Sequence, residues 1–268
     1  MNHQQTKDLK RAIKLLENPS FGAKVADIVG TPIEKAVALL PDSVQKKITS
    51  ATHKAILAAL KSATKTLDHH DPESGAAAPE SSNWWHMGTV AATGAAGGFF
   101  GAWSLVFEVP VATTIMMRSI ADIARSESAD LNDIEVQLEC VNILAMGGRS
   151  SSDDASDTGY FVAREALARA TAGAAAHIAN QGLEKEGAPA LVRLILAIAE
   201  RYSIVITEKA AAQAVPIIGA AGGALINTVF MDHFQDMARG HFIVLRLEKA
   251  LGVDIVKAKY IELNKAEI

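Results

Sequence analysis

The hydrophobic and polar positions repeat with a helical period along most of the chain. In the clearest case, apolar residues recur every three or four positions between Val44 and Ala63, while the opposite face carries lysines. That spacing places the apolar residues on one side of an α-helix. A shorter stripe of the same kind joins Leu9, Ile13 and Leu16. The pattern therefore predicts a helical protein.

Proline and capping residues predict several helix boundaries. The segment Thr31–Glu34 has the form of a capping box, with Pro32 at the first helical position. Pro110 is expected to interrupt or restart a helix after Glu108, because proline lacks the backbone N–H. A further helix is predicted over residues 133–146.

Two long stretches without a formal charge depart from the amphipathic pattern. The first has 21 residues, from Met87 to Phe107, and the second has 22, from Ala210 to Met231. At about 1.5 Å per residue the first could cross roughly 30 Å of hydrocarbon. Its glycines and alanines equally suit close helix contact inside a protein. The sequence leaves open whether this stretch spans the membrane, dips into it or is buried.

Each charge-free stretch leads into a charged helical segment, and the two segments align at a constant offset of 114 residues. Asp122 and Arg125 correspond to Asp236 and Arg239. This alignment indicates either an internal repeat or two helices that converged on the same packing role.

Charge and composition divide the chain into regions. Residues 1–67 carry 11 Lys or Arg against 5 Asp or Glu and are predicted to form a basic amphipathic helical region. Residues 68–83 are polar and rich in Gly, Pro and Ser, which is typical of a linker. Residues 84–268 are predicted to form a helical core with a mobile loop at 147–159. The predicted fold is all-α, a multi-helix bundle with two glycine-rich apolar helices or helical hairpins at its centre.

A single cysteine and a charged N-terminus predict a cytoplasmic protein. Cys140 excludes an internal disulfide framework, and charges occupy the place where a signal peptide needs its apolar stretch. The basic N-terminal region lacks a recognisable nucleic-acid-binding motif, so nucleic acid is not an expected partner. No cofactor is expected, and the oligomeric state is left open.

Two sets of residues are candidates for function. Aromatic residues around the first charge-free stretch and lysines of the 44–63 helix are expected to contact lipid or a membrane, namely Trp84, Trp85, Phe99, Phe100, Trp103, Lys46, Lys47 and Lys54. Charged residues of the two aligned segments and of the 133–146 helix are expected to form a polar core, namely Arg118, Asp122, Arg125, Glu139, Asp232, Asp236 and Arg239.

Metal binding is an alternative role for part of the second set. Asp232, His233 and Asp236 could ligate a divalent ion, as helical-bundle metal enzymes do. The spacing lacks an EXXH or HEXXH pattern, and nearby arginines can neutralise the same carboxylates, so ion-paired helix packing is favoured.

The sequence resembles the EcsC family in four segments. These are Val109–Thr114, Met117–Ala124, Val215–Ala220 and Asp236–Arg239. The resemblance implies a bacterial helical protein connected with membranes, since the family takes its name from an operon that encodes an ABC transporter linked to protein secretion. It supplies no known active site.

The expected function is that of a non-enzymatic, membrane-associated helical protein at the inner face of the membrane. It would bind lipid or a membrane-protein partner and serve as an accessory to an ABC transporter or to secretion. The alternative is a metal-dependent hydrolase with a carboxylate and histidine centre in the helical core.

Overall fold

The computed structural model describes residues 1–17, 20–65, 105–148, 159–182, 188–215 and 219–267. Across these ranges all regular secondary structure is helical, which confirms the predicted all-α bundle. The helices are α1 (His3–Leu16), α2 (Phe21–Val29), α3 (Ile33–Ala38), α4 (Asp42–Lys65), α5 (Leu105–Ser126), α6 (Ile134–Met146), α7 (Gly159–Gln181), α8 (Pro189–Gln213), α9 (Gly219–Leu251) and α10 (Val253–Glu267).

The amphipathic stripe predicted for α4 is confirmed by its burial. Its predicted apolar positions all lie in the core, namely Val44, Ile48, Ala51, Ala55, Ile56, Ala59, Leu60 and Ala63. Helix α4 packs against α5 and α8 through this face. On the other face, Lys46, Lys54 and Lys61 are exposed.

Two predicted boundaries were wrong. Helix α3 is capped by Pro32 in an extended conformation (φ −52°, ψ 129°), without a side-chain cap hydrogen bond. Glu34 is therefore the second residue of the helix. A capping box needs its glutamate at the third helical position, so Thr31 and Glu34 do not form one. Helix α5 also continues through Pro110. The hydroxyl of Thr114 donates to the Pro110 carbonyl over 2.9 Å.

The N-terminal and C-terminal helices share one hydrophobic core. Helix α1 packs on α9 and α10, and α2 and α3 pack on α8. A single cluster of buried apolar side chains extends from Leu9 to Leu263. The predicted linker at 68–83 and most of the predicted loop at 147–159 lie outside the described residues.

Part of the second charge-free stretch belongs to this core. Ala210 and Ala212 are buried at the end of α8, and Ile226, Phe230 and Met231 are buried in α9. The lack of charge in these parts therefore reflects packing between helices. Of the first stretch, residues 87–104 lie outside the described residues.

The two aligned segments have the same burial pattern. Every position from 109 to 125 in α5 has the same degree of burial as its counterpart from 223 to 239 in α9. Thr114 and its counterpart Thr228 both donate to a carbonyl four residues earlier, over 2.9 and 3.0 Å. This agreement supports an internal repeat of one helical unit.

None of the described helices combines the length and the apolar character that crossing a bilayer requires.

Candidate functional site

The predicted lipid-contacting residues are only partly described. The five aromatic residues lie outside the described ranges, namely Trp84, Trp85, Phe99, Phe100 and Trp103. Lys46 and Lys54 are exposed on α4, and Lys47 is half-buried. The expected contact of these lysines with lipid stays a prediction.

Four of the predicted polar residues form matching ion pairs at the margin of the core. Arg125 pairs with Asp122 in α5. At the equivalent place in α9, Arg239 Nη1 lies 3.9 Å from Asp236 Oδ1. Lys24 of α2 also approaches Asp236 over 3.7 Å. The Arg125–Asp122 and Arg239–Asp236 pairs each lie within one helix, and only the contact of Lys24 with Asp236 joins two helices.

The remaining members of that set do not join these pairs. Arg118 and its counterpart Asp232 are both exposed. Glu139 lies in a separate network, in which its carboxylate accepts from Nε2 of His241 over 3.1 Å and from the Asn142 amide over 3.2 Å. The seven predicted residues therefore do not form one polar core.

The Glu139 network is internally satisfied. Nε2 of His241 donates to the Glu139 carboxylate over 3.1 Å, and Nδ1 of the same ring lies 2.8 Å from the Tyr160 hydroxyl oxygen. Burial would raise the pKa of Glu139, but His241, together with the Asn142 hydrogen bond and the charge of Arg164, outweighs burial and lowers the pKa. Burial raises the pKa of Tyr160, which keeps the phenol neutral. The network joins α6, α7 and α9.

The three candidate metal ligands point to different partners. His233 donates from Nε2 to the Gly147 carbonyl over 2.8 Å, Asp236 approaches Lys24, and Asp232 is exposed. Over the described parts of the chain, no group of three or more His, Cys, Asp or Glu side chains could hold a metal ion.

The structure brings together two charges that sequence analysis did not select. Lys209 of α8 is completely buried, and its Nζ donates to Oε1 of Glu108 in α5 over 2.7 Å. Gln213 also donates to this oxygen, over 3.4 Å. Nζ lies 4.6 Å from the centre of the Phe230 ring in α9. The second carboxylate oxygen of Glu108 is buried without a hydrogen-bond partner.

The electrostatics of this pair are those of a desolvated ion pair. Burial lowers the pKa of Lys209 below its ordinary value, and the attraction of Glu108 offsets this only in part. For Glu108, burial alone would raise the pKa, but the charge and hydrogen bond of Lys209 outweigh it and lower the pKa. Glu108 therefore stays ionised at neutral pH.

A sequence signal for this pair did exist. Glu108 directly follows the first charge-free stretch, and Lys209 directly precedes the second. Opposite charges that border two apolar stretches can compensate each other if those stretches meet. The pairing itself could not be deduced, because 101 residues separate the two side chains.

The contacts along α5 define how the helices run relative to each other. Lys209 contacts Glu108, and earlier in α8 the Tyr202 hydroxyl lies 2.7 Å from the Thr113 hydroxyl, so α5 and α8 are antiparallel. The amide of Gln235 in α9 donates to the Ser119 hydroxyl over 2.9 Å. Because Phe230 lies beside the Lys209 ion pair and Gln235 beside Ser119, α5 and α9 run in the same direction.

The beginnings of α5 and α9 and the end of α8 consequently lie at one end of the bundle. We call this region the Glu108–Lys209 end and define it by Glu108, Val111, Lys209, Gln213 and Leu225. Val111 and Leu225 occupy equivalent positions of the repeat, and both are apolar and exposed, at 50% and 47%.

This arrangement defines an all-helical protein with a repeated helix, whose two copies, α5 and α9, begin at the same end of the bundle. The chain belongs to the EcsC protein family, which it matches over residues 3–247. Neither the curated proteins nor the solved structures contain a significant match.

Proposed function

We propose that this protein is a non-enzymatic, membrane-associated protein that contacts lipid through its Glu108–Lys209 end, at the inner face of the membrane. The single observation that carries the proposal is that the described residues at the borders of both charge-free stretches, Glu108 in α5 and Lys209 in α8, meet at that end. The chain enters α5 and α9 from these stretches, and α8 leads into the second one.

Two exposed apolar residues support this orientation. Isolated exposed apolar side chains are common on protein surfaces. Val111 and Leu225 are a stronger signal, because both copies of the repeat expose an apolar residue at the same position and at the same end. Burying the exposed part of two such side chains in lipid would contribute about 2 kcal/mol.

The charges at this end are also compatible with a low dielectric. Lys209 and Glu108 neutralise each other, so the end carries no net charge from this pair. An unpaired charge at the same place, near hydrocarbon, would cost on the order of 3 kcal/mol or more. The exposed lysines of α4 would add electrostatic attraction to anionic lipid.

Flotation with vesicles of phosphatidylcholine and an anionic lipid tests the proposal. We expect the wild-type protein to float at low salt. The variant Val111→Asp/Leu225→Asp should bind vesicles at least about tenfold more weakly. It loses the lipid contact of about 2 kcal/mol, and a factor of ten in affinity corresponds to about 1.4 kcal/mol.

The matched control is Leu196→Asp, which removes a side chain of similar exposure, 52%, from α8. Leu196 lies about 20 Å along the helix from Lys209, and its substitution should leave flotation unchanged. A wild-type protein that stays in the soluble fraction on lipid alone contradicts the proposal. Binding only to vesicles that contain membrane proteins would also contradict it and would indicate a protein partner.

A further inference from the structure

The outward side of α1 carries four positive charges close together. Lys7, Lys10, Arg11 and Lys14 are exposed, and their spacing places them on one side of the helix. Seven residues separate the first from the last, so the four charges extend over about 10 Å of helix. We call this side the basic face of α1 and define it by these four residues.

The carboxylates next to the basic face are engaged with other helices. Asp8 accepts from Arg246 of α9 over 3.0 Å, and Glu17, at the end of α1, accepts from the Tyr260 hydroxyl of α10 over 2.8 Å. No described residue forms an ion pair with the four cations of the basic face. The basic face is therefore an uncompensated positive patch on a protein whose net charge is negative.

Helix α1 holds these cations in a fixed arrangement. A capping box closes its beginning, in which the Asn2 side chain accepts from the Gln5 N–H and the Gln5 side chain accepts from the Asn2 N–H, each over 2.8 Å. The opposite side of α1 packs on α9 and α10. Its apolar stripe is buried there, namely Leu9, Ala12, Ile13 and Leu16. The outward side thus offers a partner charge rather than apolar surface.

The basic face lies far from the Glu108–Lys209 end. Asp8 meets Arg246, and a Cβ atom at Gly240 would lie 2.5 Å from the Leu16 side chain, so α1 runs antiparallel to the second half of α9. Leu225 precedes this part of α9 by 15 to 21 residues, which is about 22–32 Å of helix. That distance exceeds the screening length of roughly 8 Å at physiological salt. A bilayer touched at the Glu108–Lys209 end alone would leave the basic face accessible.

We propose that the basic face of α1 is a docking site for an acidic segment of a partner protein. The segment that fits is a helix with carboxylates at the spacing of the four cations, because two adjacent helices bring such charges into pairs. An extended polyanion such as nucleic acid would also meet the rest of a chain with a net charge of −4, whereas a short acidic helix meets only the cations. This docking goes beyond lipid contact and requires no membrane.

Nuclear magnetic resonance of the isotopically labelled full chain tests the docking. The probe is a synthetic peptide of about 20 residues, long enough to be helical by itself, with four glutamates at i, i+3, i+4 and i+7. We expect its addition at low salt to shift the backbone amide signals of α1 and to leave those of α5 and α8 unchanged. Raising the salt from about 0.01 to 0.15 M should weaken binding, since it shortens the screening length from roughly 30 to 8 Å.

Two variants compare the basic face with other exposed cations. Replacing its four cations by glutamine should weaken peptide binding at least about fourfold, because each exposed ion pair contributes a factor of about 1.4–5 in affinity. A matched control removes the same charge from exposed positions of α3, α5, α7 and α8 and should keep the wild-type affinity. Its substitutions are Lys35→Gln, Arg118→Gln, Arg169→Gln and Arg193→Gln.

Several results would overturn the docking site. They are a wild type whose α1 signals do not shift, a basic-face variant that keeps the wild-type affinity, and equal binding of a peptide whose glutamates are spread around the helix. Loss of vesicle flotation in the basic-face variant would assign the face to lipid instead, and tighter binding of duplex DNA than of the peptide would assign it to nucleic acid. Peptide binding by a protein that does not float on vesicles supports the docking site and refutes only lipid contact.

Discussion

Replacing Lys209 by methionine should strongly destabilise the fold. Methionine can occupy much of the volume of the lysine stem, but it leaves the Glu108 carboxylate buried without its cation. Both side chains lie in the core, at 0% and 7% exposure, so water cannot replace the lost partner without a rearrangement of the helices. The substitution isolates the electrostatic role of Lys209 from its packing role.

The expected loss is about 3–5 kcal/mol of unfolding free energy, the usual effect of breaking a buried ion pair from one side. Loss of the contact between Nζ and the Phe230 ring adds about 0.5–1 kcal/mol. The double variant Glu108→Gln/Lys209→Met removes both charges. It should recover most of the loss and lie within about 1 kcal/mol of the wild type, because a neutral buried pair avoids the desolvation of two ions.

Urea unfolding monitored by circular dichroism measures all four members of this cycle. The coupling energy between Glu108 and Lys209 should be at least about 2 kcal/mol. A loss below about 1 kcal/mol for Lys209→Met, or a double variant as unstable as the sum of the single ones, would refute the buried pair.

The same pair predicts an acid dependence. The pKa of Glu108 is lowered from 4.5. Its contribution to stability is therefore present above about pH 4.5 and is lost as pH falls through the lower value in the folded state. This acid dependence should disappear in the double variant.

Two further predictions concern packing. Gly148→Ala should cost about 1–3 kcal/mol in urea unfolding, because its Cβ would lie 2.2 Å from the backbone oxygen of Arg201. The control Gly173→Ala meets open space inside α7 and should stabilise the protein by about 0.5–1 kcal/mol, so equal effects would contradict the close approach. Cys140 is buried with a raised pKa and should react with a thiol reagent only in urea; rapid labelling of the native protein would contradict its place in the core.

The helices could be predicted from the sequence because their signal is local. The 3.6-residue period fixed the buried face of α4, and the helix predicted over 133–146 agrees with α6 (Ile134–Met146) to within one residue. The two wrong helix boundaries, at Thr31 and at Pro110, also rest on local signals. In each case the same residue types are compatible with more than one backbone geometry.

The polar contacts could not be predicted, because they join residues far apart in the chain. Periodicity placed Asp122 and Arg125 on one face of α5, and they do pair. The same argument could not show that Arg118 is exposed, nor that Glu139 meets His241 across 102 residues. Tertiary packing decides which charges enter the core, and a single sequence does not contain that arrangement explicitly.

The most direct measurement of the central claim is the depth of individual positions in a membrane. Nitroxide labels on cysteines introduced at Val111, Leu225 and Leu196 would be compared on anionic vesicles by collision with oxygen and with a polar nickel complex. We predict that the labels at 111 and 225 gain access to oxygen and lose access to nickel, while the label at 196 stays aqueous. Aqueous behaviour at all three positions, or insertion of the label at 196 alone, would contradict lipid contact through the Glu108–Lys209 end.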